Sequence, residues 1–224
     1  MNIENQKEIK IKILTLGDFA VGKTSFIKKF IDNKFSKGHL STIGLDFKLK
    51  TQVLPNGKKV KIQFIDTAGQ ERYRSIAYNM IKNADGILLM YDITRKETFD
   101  NVSNWIENIR ENKISNFPII LIGNKSDLEN ERQVTKEEGE AKSKELGLLF
   151  FETSNKDGIN IEETTIELIN KIFEKNEIDI HINQNENKIK EKEKKKKNGR
   201  FKLFRLFKSK SKSKKKKKKN RTKC

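Results

Sequence analysis

Two hydrophobic patterns alternate along this chain, one with the period of a strand and one with the period of a helix. The strand pattern predicts six strands, over residues 9–17, 44–54, 58–66, 86–93, 117–124 and 148–154. The helical pattern predicts helices over residues 23–35, 97–112, 135–146 and 160–175. Asn56 and Gly57 are typical of a hairpin turn, so the second and third strands should be antiparallel. We therefore expect an α/β fold with a six-stranded, mostly parallel sheet and helices on both faces.

The composition changes where the last predicted helix ends. Residues 188–224 contain 21 Lys or Arg residues against two acids, whereas the net charge of the whole chain is +18, so the excess positive charge lies in this tail. We expect an N-terminal extension over 1–7, one folded domain over 8–176 and a disordered basic tail over 177–224. The chain has no apolar run of 18 residues, no apolar N-terminal signal and a single cysteine, so we expect a cytoplasmic protein without a membrane span or a disulfide.

The turn between the first predicted strand and helix carries candidate phosphate-binding chemistry. Gly17, Gly22, Lys23 and Thr24 match the pattern G-x-x-x-x-G-K-[ST]. Glycines let the backbone N–H groups face a polyphosphate, Lys23 would reach the β- and γ-phosphates, and the Thr24 hydroxyl would bind Mg²⁺. The alternative is a chance lysine in an ordinary turn, but the position between a strand and a helix favours phosphate binding. The candidate residues are Gly17, Asp18, Phe19, Ala20, Val21, Gly22, Lys23, Thr24 and Ser25.

Two motifs at the ends of later strands predict which base is bound. In "GNKSD" (123–127), Asp127 can accept hydrogen bonds from N1–H and the 2-amino group of guanine, two donors that adenine lacks. In "ETS" (152–154), Thr153 and Ser154 would offer backbone N–H groups to the base oxygen. Both motifs follow strands at the sheet edge where open α/β folds bind ligands. The sequence thus favours a guanine nucleotide.

Two further motifs predict the metal site and the hydrolytic water. In "DTAGQE" (66–71), Asp66 is placed to hold Mg²⁺ through water, Gly69 lets its N–H approach a γ-phosphate, and Gln70 would orient an attacking water. In "STIG" (41–44), Thr42 adds a second hydroxyl for the metal. These residues predict that the bound nucleotide is hydrolysed.

These motifs have the order and spacing of the Ras superfamily of small GTPases, which the chain resembles over about residues 8–175. Within that superfamily, "IGLDF", "RYRSI", "LMYDIT" and "KETFDNVSNWIENI" are similar to the Rab proteins, which direct vesicle traffic. The resemblance implies a P-loop NTPase G domain, a monomer that binds GTP or GDP with Mg²⁺ and hydrolyses GTP slowly. It also implies effector, exchange and activating proteins, a prenylation escort and a GDP-dissociation inhibitor as partners.

The resemblance assigns a role to individual residues as well. Lys23 binds phosphate and Gln70 positions the water, and these two are the implied catalytic residues. The implied magnesium ligands are Thr24, Thr42 and Asp66. The implied base contacts are Phe35, which should stack on the guanine ring, and Asn124, Lys125 and Asp127.

The chain departs from the Rab pattern at several positions. Phe19 stands where the phosphate loop usually has a small residue, and it either points outward or crowds the γ-phosphate and the space for an activating arginine. Asn155 replaces the usual alanine after "ETS", close to the guanine, where its backbone N–H can still donate. Ile65 and the pair Met80 and Ile81 replace aromatic residues of the effector-facing surface, so effectors cannot be carried over from familiar Rab proteins.

The tail favours a membrane surface. The stretch "RFKLFRLFKSK" (200–210) would bury aromatic rings at the headgroup boundary while its cations meet anionic lipid. Cys224 is the last residue, where Rab proteins carry prenyl groups, and we expect its lipidation to attach the protein to the cytosolic face of an intracellular or plasma membrane.

Three alternatives stay open on the sequence alone. The first is a GTP-binding scaffold in which Phe19 impairs hydrolysis. The second is a nuclear or nucleic-acid-associated GTPase that uses the lysine tail, although Cys224 has no role in it and we expect no specific nucleic acid. The third, an ATP-dependent kinase with the same loop, is disfavoured by Asp127.

Overall fold

The computed structural model of the protein describes residues 9–33, 45–54, 57, 59–67, 80–111 and 118–176. Its sheet consists of β1 Ile9–Leu16, β2 Leu45–Val53, β3 Lys59–Thr67, β4 Gly86–Asp92, β5 Ile119–Asn124 and β6 Leu149–Thr153. The strands lie in the order β2-β3-β1-β4-β5-β6. The β2–β3 pair is antiparallel and the other four pairs are parallel, which confirms the expected six-stranded, mostly parallel sheet.

The helices are α1 Lys23–Asp32, α2 Lys96–Asp100, α3 Val102–Glu111, α4 Lys136–Leu146 and α5 over 161–176, with a 3₁₀ turn at Glu129–Glu131. The first helix ends before the predicted residue 35, because Asn33 adopts a left-handed conformation and donates its N–H to the carbonyl of Lys29.

The single helix predicted over 97–112 is divided at Asn101 into α2 and α3. The side chain of Asn101 donates to the carboxylate of Asp18 at 2.7 Å and so faces the phosphate loop.

Helix α4 shows how local sequence sets the bounds of an element. The Thr135 hydroxyl accepts from the Glu138 N–H at 3.1 Å, and the Glu138 carboxylate accepts from the Thr135 N–H at 2.8 Å. This reciprocal capping box satisfies two donors that the start of a helix leaves without intrahelical partners. Gly147 ends the helix in the left-handed conformation that glycine adopts without strain.

Helices cover both faces of the sheet, as expected. One hydrophobic cluster joins α1 and α5 to the sheet through Phe26, Phe30, Leu168, Ile169 and Ile172. A second cluster joins α2 and α3 to the sheet through Phe99, Trp105, Ile106 and Ile109. Ile13 of β1 belongs to the first cluster and its neighbour Leu14 to the second, because successive side chains of a strand point to opposite faces. Full burial of each such side chain contributes about 1.5–3 kcal/mol of hydrophobic stabilisation.

The parallel strands end at one edge of the sheet with polar residues. β3 ends with Asp66 and Thr67, β4 with Asp92, β5 with Asn124 and β6 with Thr153, and all five side chains are buried. A buried polar group needs a hydrogen-bond partner, and here neighbouring strands and the loops that follow them supply partners. This edge is therefore where functional side chains converge. The predicted extension over 1–7 and tail over 177–224 lie outside the described residues, and the domain bounds stay a prediction.

Candidate functional site

The loop between β1 and α1 has the backbone that its glycines predicted. Gly17 has φ 132° and Gly22 has φ 107°, and Ala20 is also left-handed with φ 63°. A Cβ on Gly17 would lie 2.1 Å from the carbonyl oxygen of Met90, and a Cβ on Gly22 would lie 2.2 Å from Nδ2 of Asn124. Only glycine therefore fits these two positions, for reasons of both conformation and space.

The carbonyl groups of five loop residues accept hydrogen bonds from buried or neighbouring side chains. The bonds, at 2.6–3.0 Å, run from Lys23 to Gly17 and Asp18, from Arg95 to Phe19, from Asn124 to Val21 and from Asn155 to Gly22. In a trans peptide the carbonyl of one residue and the N–H of the next point in opposite directions. Because these five carbonyls point towards the protein, the N–H group of each following residue points away from the protein. Anion binding requires N–H groups that point in this direction.

Lys23 is buried at the centre of this loop, with 5% of its surface exposed. Burial lowers its pKa to about 8, against the opposing effect of the nearby carboxylates of Asp66 and Asp18. Its ammonium is held by carbonyl oxygens of the loop rather than by a full counter-charge. A phosphate at this point would supply that counter-charge, so the site is electrostatically suited to a polyphosphate.

Thr24 and Asp66 bring two oxygen atoms together beside the loop. The Thr24 hydroxyl donates to Oδ2 of Asp66 at 2.6 Å, and Asp66 is 1% exposed. Mg²⁺ prefers oxygen ligands and is usually held by one or two protein groups together with waters and substrate phosphates. The pair of hard oxygen donors next to a phosphate-binding loop fits this ion.

The other half of the site lies after β5 and β6. Asn124 is fully buried, and its Oδ1 accepts from the Thr153 hydroxyl at 3.1 Å while its Nδ2 contacts the phosphate loop. Oδ1 of Asp127 accepts from the Ser154 hydroxyl at 2.7 Å. The N–H of Ser154 donates to Ile159 O at 3.2 Å, within its own loop. The structure thus brings the "NKSD" and "ETS" motifs together, next to the phosphate loop.

A buried carboxylate, Asp92, supports the lysine of this motif. Lys125 has a left-handed backbone, and its Nζ lies 2.5 Å from Oδ2 of Asp92. Burial by itself would raise the pKa of Asp92, but hydrogen bonds from Lys125 and Thr94 outweigh it and hold the pKa below its usual range. Asp92 is therefore ionised at neutral pH, and its charge orients Lys125.

The sequence of this chain matches a known protein family. The model of the Ras family matches residues 12–174. The chain belongs to the Ras family. It is 45% identical over 164 residues to "Ras-related protein Rab-3C" of Bos taurus, covering 73% of this chain and 72% of that protein, and 46% identical over 164 residues to the protein of the same name from Mus musculus, with the same coverage.

The protein is therefore a Rab-like small GTPase, a GTP-hydrolysing switch of vesicle traffic that binds guanine nucleotides and works with effector, exchange and activating proteins and a GDP-dissociation inhibitor. Prenylation and membrane association are typical of this group. In the described ranges, no helix has the length and apolar character needed to cross a bilayer.

The structure of this Rab-like GTPase adds site residues that the motifs did not indicate. Nε1 of Trp105 in α3 donates to Oδ1 of Asp18 at 2.9 Å, and Nδ2 of Asn101, just before α3, donates to Oδ2 of Asp18 at 2.7 Å. These two bonds hold the side chain of Asp18, the second residue of the phosphate loop. Asp92 and Arg95 were missed too. An acid at the end of the apolar run "GILLMYD" was a signal for Asp92, whereas no local pattern indicates Arg95.

Five of the predicted site residues lie outside the described part of the chain, namely Phe35, Thr42, Gly69, Gln70 and Cys224. The other predicted site residues lie on the phosphate loop, in the first turn of α1, and at the end of β3. They also lie at the ends of β5 and β6 and in the loops that follow these two strands. The side chain of Phe19 is 44% exposed, and its carbonyl accepts from Nη2 of Arg95.

Proposed function

We propose that this Rab-like GTPase binds the phosphates of GTP or GDP on the loop from Gly17 to Ser25. The observation that carries the proposal is the set of hydrogen bonds that hold five loop carbonyls towards the protein. The N–H groups turned the other way would receive the phosphate oxygens. Lys23 would keep its two carbonyl partners and reach the β- and γ-phosphates with its remaining N–H. The dipole of α1, which begins at Lys23, adds positive potential at the same point.

Thr24, Asp66 and Thr42 would hold Mg²⁺. Thr24 and Asp66 already present oxygen atoms on one side of the loop, and Thr42 would join them in the GTP state. When bound, the ion neutralises charge on the β- and γ-phosphate oxygens.

Asp127 would select guanine by accepting from N1–H and the 2-amino group. The Ser154 hydroxyl donates to Oδ1 of Asp127 at 2.7 Å and so keeps the carboxylate in place. Asn124 and Lys125 would support the base from the sheet side, with the Thr153 hydroxyl holding Asn124, and Phe35 would stack on the ring. The Ser154 N–H donates to Ile159 O, so we assign donation to the base oxygen to the backbone N–H of Asn155.

Hydrolysis would proceed by in-line attack of a water molecule, oriented by Gln70, on the γ-phosphorus. A bond forms between the water oxygen and phosphorus, and the bond to the β–γ bridging oxygen breaks, giving GDP and inorganic phosphate. Lys23 and the loop N–H groups stabilise negative charge that moves onto the phosphate oxygens. The reaction is slow without an activating protein, which can supply a further positive charge worth about 10³–10⁵ in rate.

The tail over 177–224 would direct the protein to anionic membrane surfaces. Its cations and aromatic residues supply one interaction, and a prenyl group on Cys224, added with the help of an escort protein, supplies a second. One lipid chain alone binds reversibly, so the combination gives stable attachment to the cytosolic face of a membrane.

The proposal is tested by nucleotide binding to the purified full chain. We expect GDP to bind in magnesium buffer and ADP not to compete. Asp127→Asn should weaken GDP binding about 10²-fold or more, because two hydrogen bonds to a charged acceptor are lost. The matched control is Asp157→Asn, which changes an exposed carboxylate of the loop after β6 and should leave GDP binding unchanged. Equal competition by ADP, or equal effects of the two substitutions, would contradict the assignment.

A further inference from the structure

Arg95 lies in the turn between β4 and α2, outside every nucleotide motif, and its guanidinium contacts two elements. Nη2 donates to the carbonyl of Phe19 at 2.6 Å, and Nε donates to Oδ2 of Asp92 at 3.2 Å. The backbone of Arg95 is also held, since its N–H donates to the Asp92 carbonyl at 2.9 Å and its carbonyl accepts from the Thr98 hydroxyl at 2.8 Å. The guanidinium is therefore positioned by the fold itself.

Asp92 connects this arginine to the base motif. The oxygen that accepts from Arg95 Nε is the one that lies 2.5 Å from Nζ of Lys125. Asp92 is fully buried, so its two charged partners are the groups that compensate its charge. A continuous set of charge-assisted contacts thus runs from the phosphate loop, through Arg95 and Asp92, to the base motif.

We propose that Arg95 is a positioning residue that holds the phosphate loop in its binding conformation and thereby slows release of the nucleotide. The inference rests on the proposed function, because it takes the phosphates to bind on this loop. The contact with the Phe19 carbonyl turns the next N–H, that of Ala20, towards the opposite side of the peptide. A loop that is already ordered binds more tightly, because binding does not have to order it.

The chemistry of arginine suits this role better than that of lysine. Its planar fork offers Nε and Nη2 in fixed directions, and here they serve two acceptors on different elements. A lysine at the same position has one ammonium on a flexible stem and would serve one acceptor well. Arg95 also brings positive charge towards the site: burial is the main cause of the lowered pKa of Lys23, and the charge of Arg95 lowers it too.

The experiment measures release of a fluorescent GDP analogue from the full chain into excess unlabelled GDP, with Mg²⁺ and again with EDTA. Arg95→Gln removes both the fork and the charge, and Arg95→Lys keeps the charge. Arg110→Gln is the matched control, because Arg110 Nη2 also donates to a backbone carbonyl, that of Leu146, at 3.1 Å, away from the loop. Glu97→Gln is a second control that removes an exposed partner of Arg95 at 3.6 Å and leaves both proposed contacts in place.

We expect Arg95→Gln to release GDP about tenfold faster, which is the lower end of the range for one lost hydrogen bond from a charged donor, because this donor lies near the surface. The factor should be the same with Mg²⁺ and with EDTA, since the contact is with the loop and not with the metal. Arg95→Lys should still release about threefold faster, and both controls should release at the unsubstituted rate.

Three results would overturn the inference while leaving the proposed function intact. The first is an unchanged rate of GDP release in Arg95→Gln. The second is an unsubstituted release rate in Arg95→Lys, which would assign the effect to charge alone. The third is an acceleration of release that disappears in EDTA. If Arg110→Gln accelerated release as much as Arg95→Gln, the effect would be one of general stability. Failure of the unsubstituted chain to bind GDP would instead contradict the proposed function, and this inference with it.

Discussion

The side chain of Asn155 carries one satisfied and one unsatisfied polar atom, and this makes the effect of its removal predictable. Nδ2 donates to Gly22 O at 3.0 Å, and Oδ1 is buried with no hydrogen-bond partner in the described part of the chain. Asn155→Ala loses a hydrogen bond worth about 1 kcal/mol but also removes a buried unsatisfied oxygen that costs about 1–3 kcal/mol. The Gly22 carbonyl keeps a hydrogen bond from the Phe26 N–H at 2.9 Å. With the small cavity counted, we expect the free energy of unfolding to change by less than about 1 kcal/mol.

The same geometry predicts that Asn155→Asp is strongly destabilising. The position of Nδ2 would then hold a carboxylate oxygen 3.0 Å from the carbonyl oxygen of Gly22, so two acceptors would face each other at a site that is 4% exposed. Burial disfavours the ionised form, so the new carboxyl would have a raised pKa and its cost would grow as the pH rises through that value. We expect a loss of about 2–4 kcal/mol at neutral pH.

Urea unfolding of the GDP-saturated protein at pH 5 and pH 8 separates the two substitutions. For a domain of this size, about 1 kcal/mol corresponds to a shift of about 2–4 °C in Tm, so thermal unfolding gives an independent check. A loss of more than about 2 kcal/mol in Asn155→Ala would refute the reasoning, because the unsatisfied oxygen would then be satisfied in solution. Tolerance of Asn155→Asp would show that the amide does not face Gly22.

Three other predictions follow from the structure. Phe19→Ser should leave GTP binding unchanged and raise hydrolysis stimulated by an activating protein at least about tenfold in single-turnover assays, and equal rates would show that the exposed ring obstructs nothing. The pKa of Asp92 is lowered in the folded protein, so the contribution of Asp92 to stability is present at neutral pH and is lost as the pH falls below 3.8, the usual pKa of an aspartate. The difference in unfolding free energy between the unsubstituted protein and Asp92→Asn should therefore be smaller at pH 3 than at pH 7. Thr135→Ala removes the capping box of α4 and should cost about 1 kcal/mol in urea unfolding, with Thr135→Ser restoring most of it.

Patterns within short stretches of the sequence were enough to predict the class of fold and much of the site. Strand and helix periods indicated six strands and helices on both faces, and the Asn-Gly pair indicated the antiparallel hairpin that joins β2 and β3. The glycines of the phosphate loop are local requirements as well, since Gly17 and Gly22 adopt backbone angles that other residues reach only with strain. The position of "NKSD" after a buried strand was also readable, because the carboxyl ends of parallel strands meet at one edge.

Contacts between distant segments were decided only by the tertiary structure. Trp105 and Asp18 are 87 residues apart, Arg95 and Phe19 are 76 apart, and Asn155 and Gly22 are 133 apart, yet each pair is joined by a hydrogen bond. No periodicity or motif encodes such pairs, because the side chains meet only after the strands have been ordered in the sheet. The division of the predicted helix at Asn101 has the same origin, since that side chain contacts the phosphate loop. Local sequence thus determined which segments form the site, and packing of the sheet determined which side chains hold it in place.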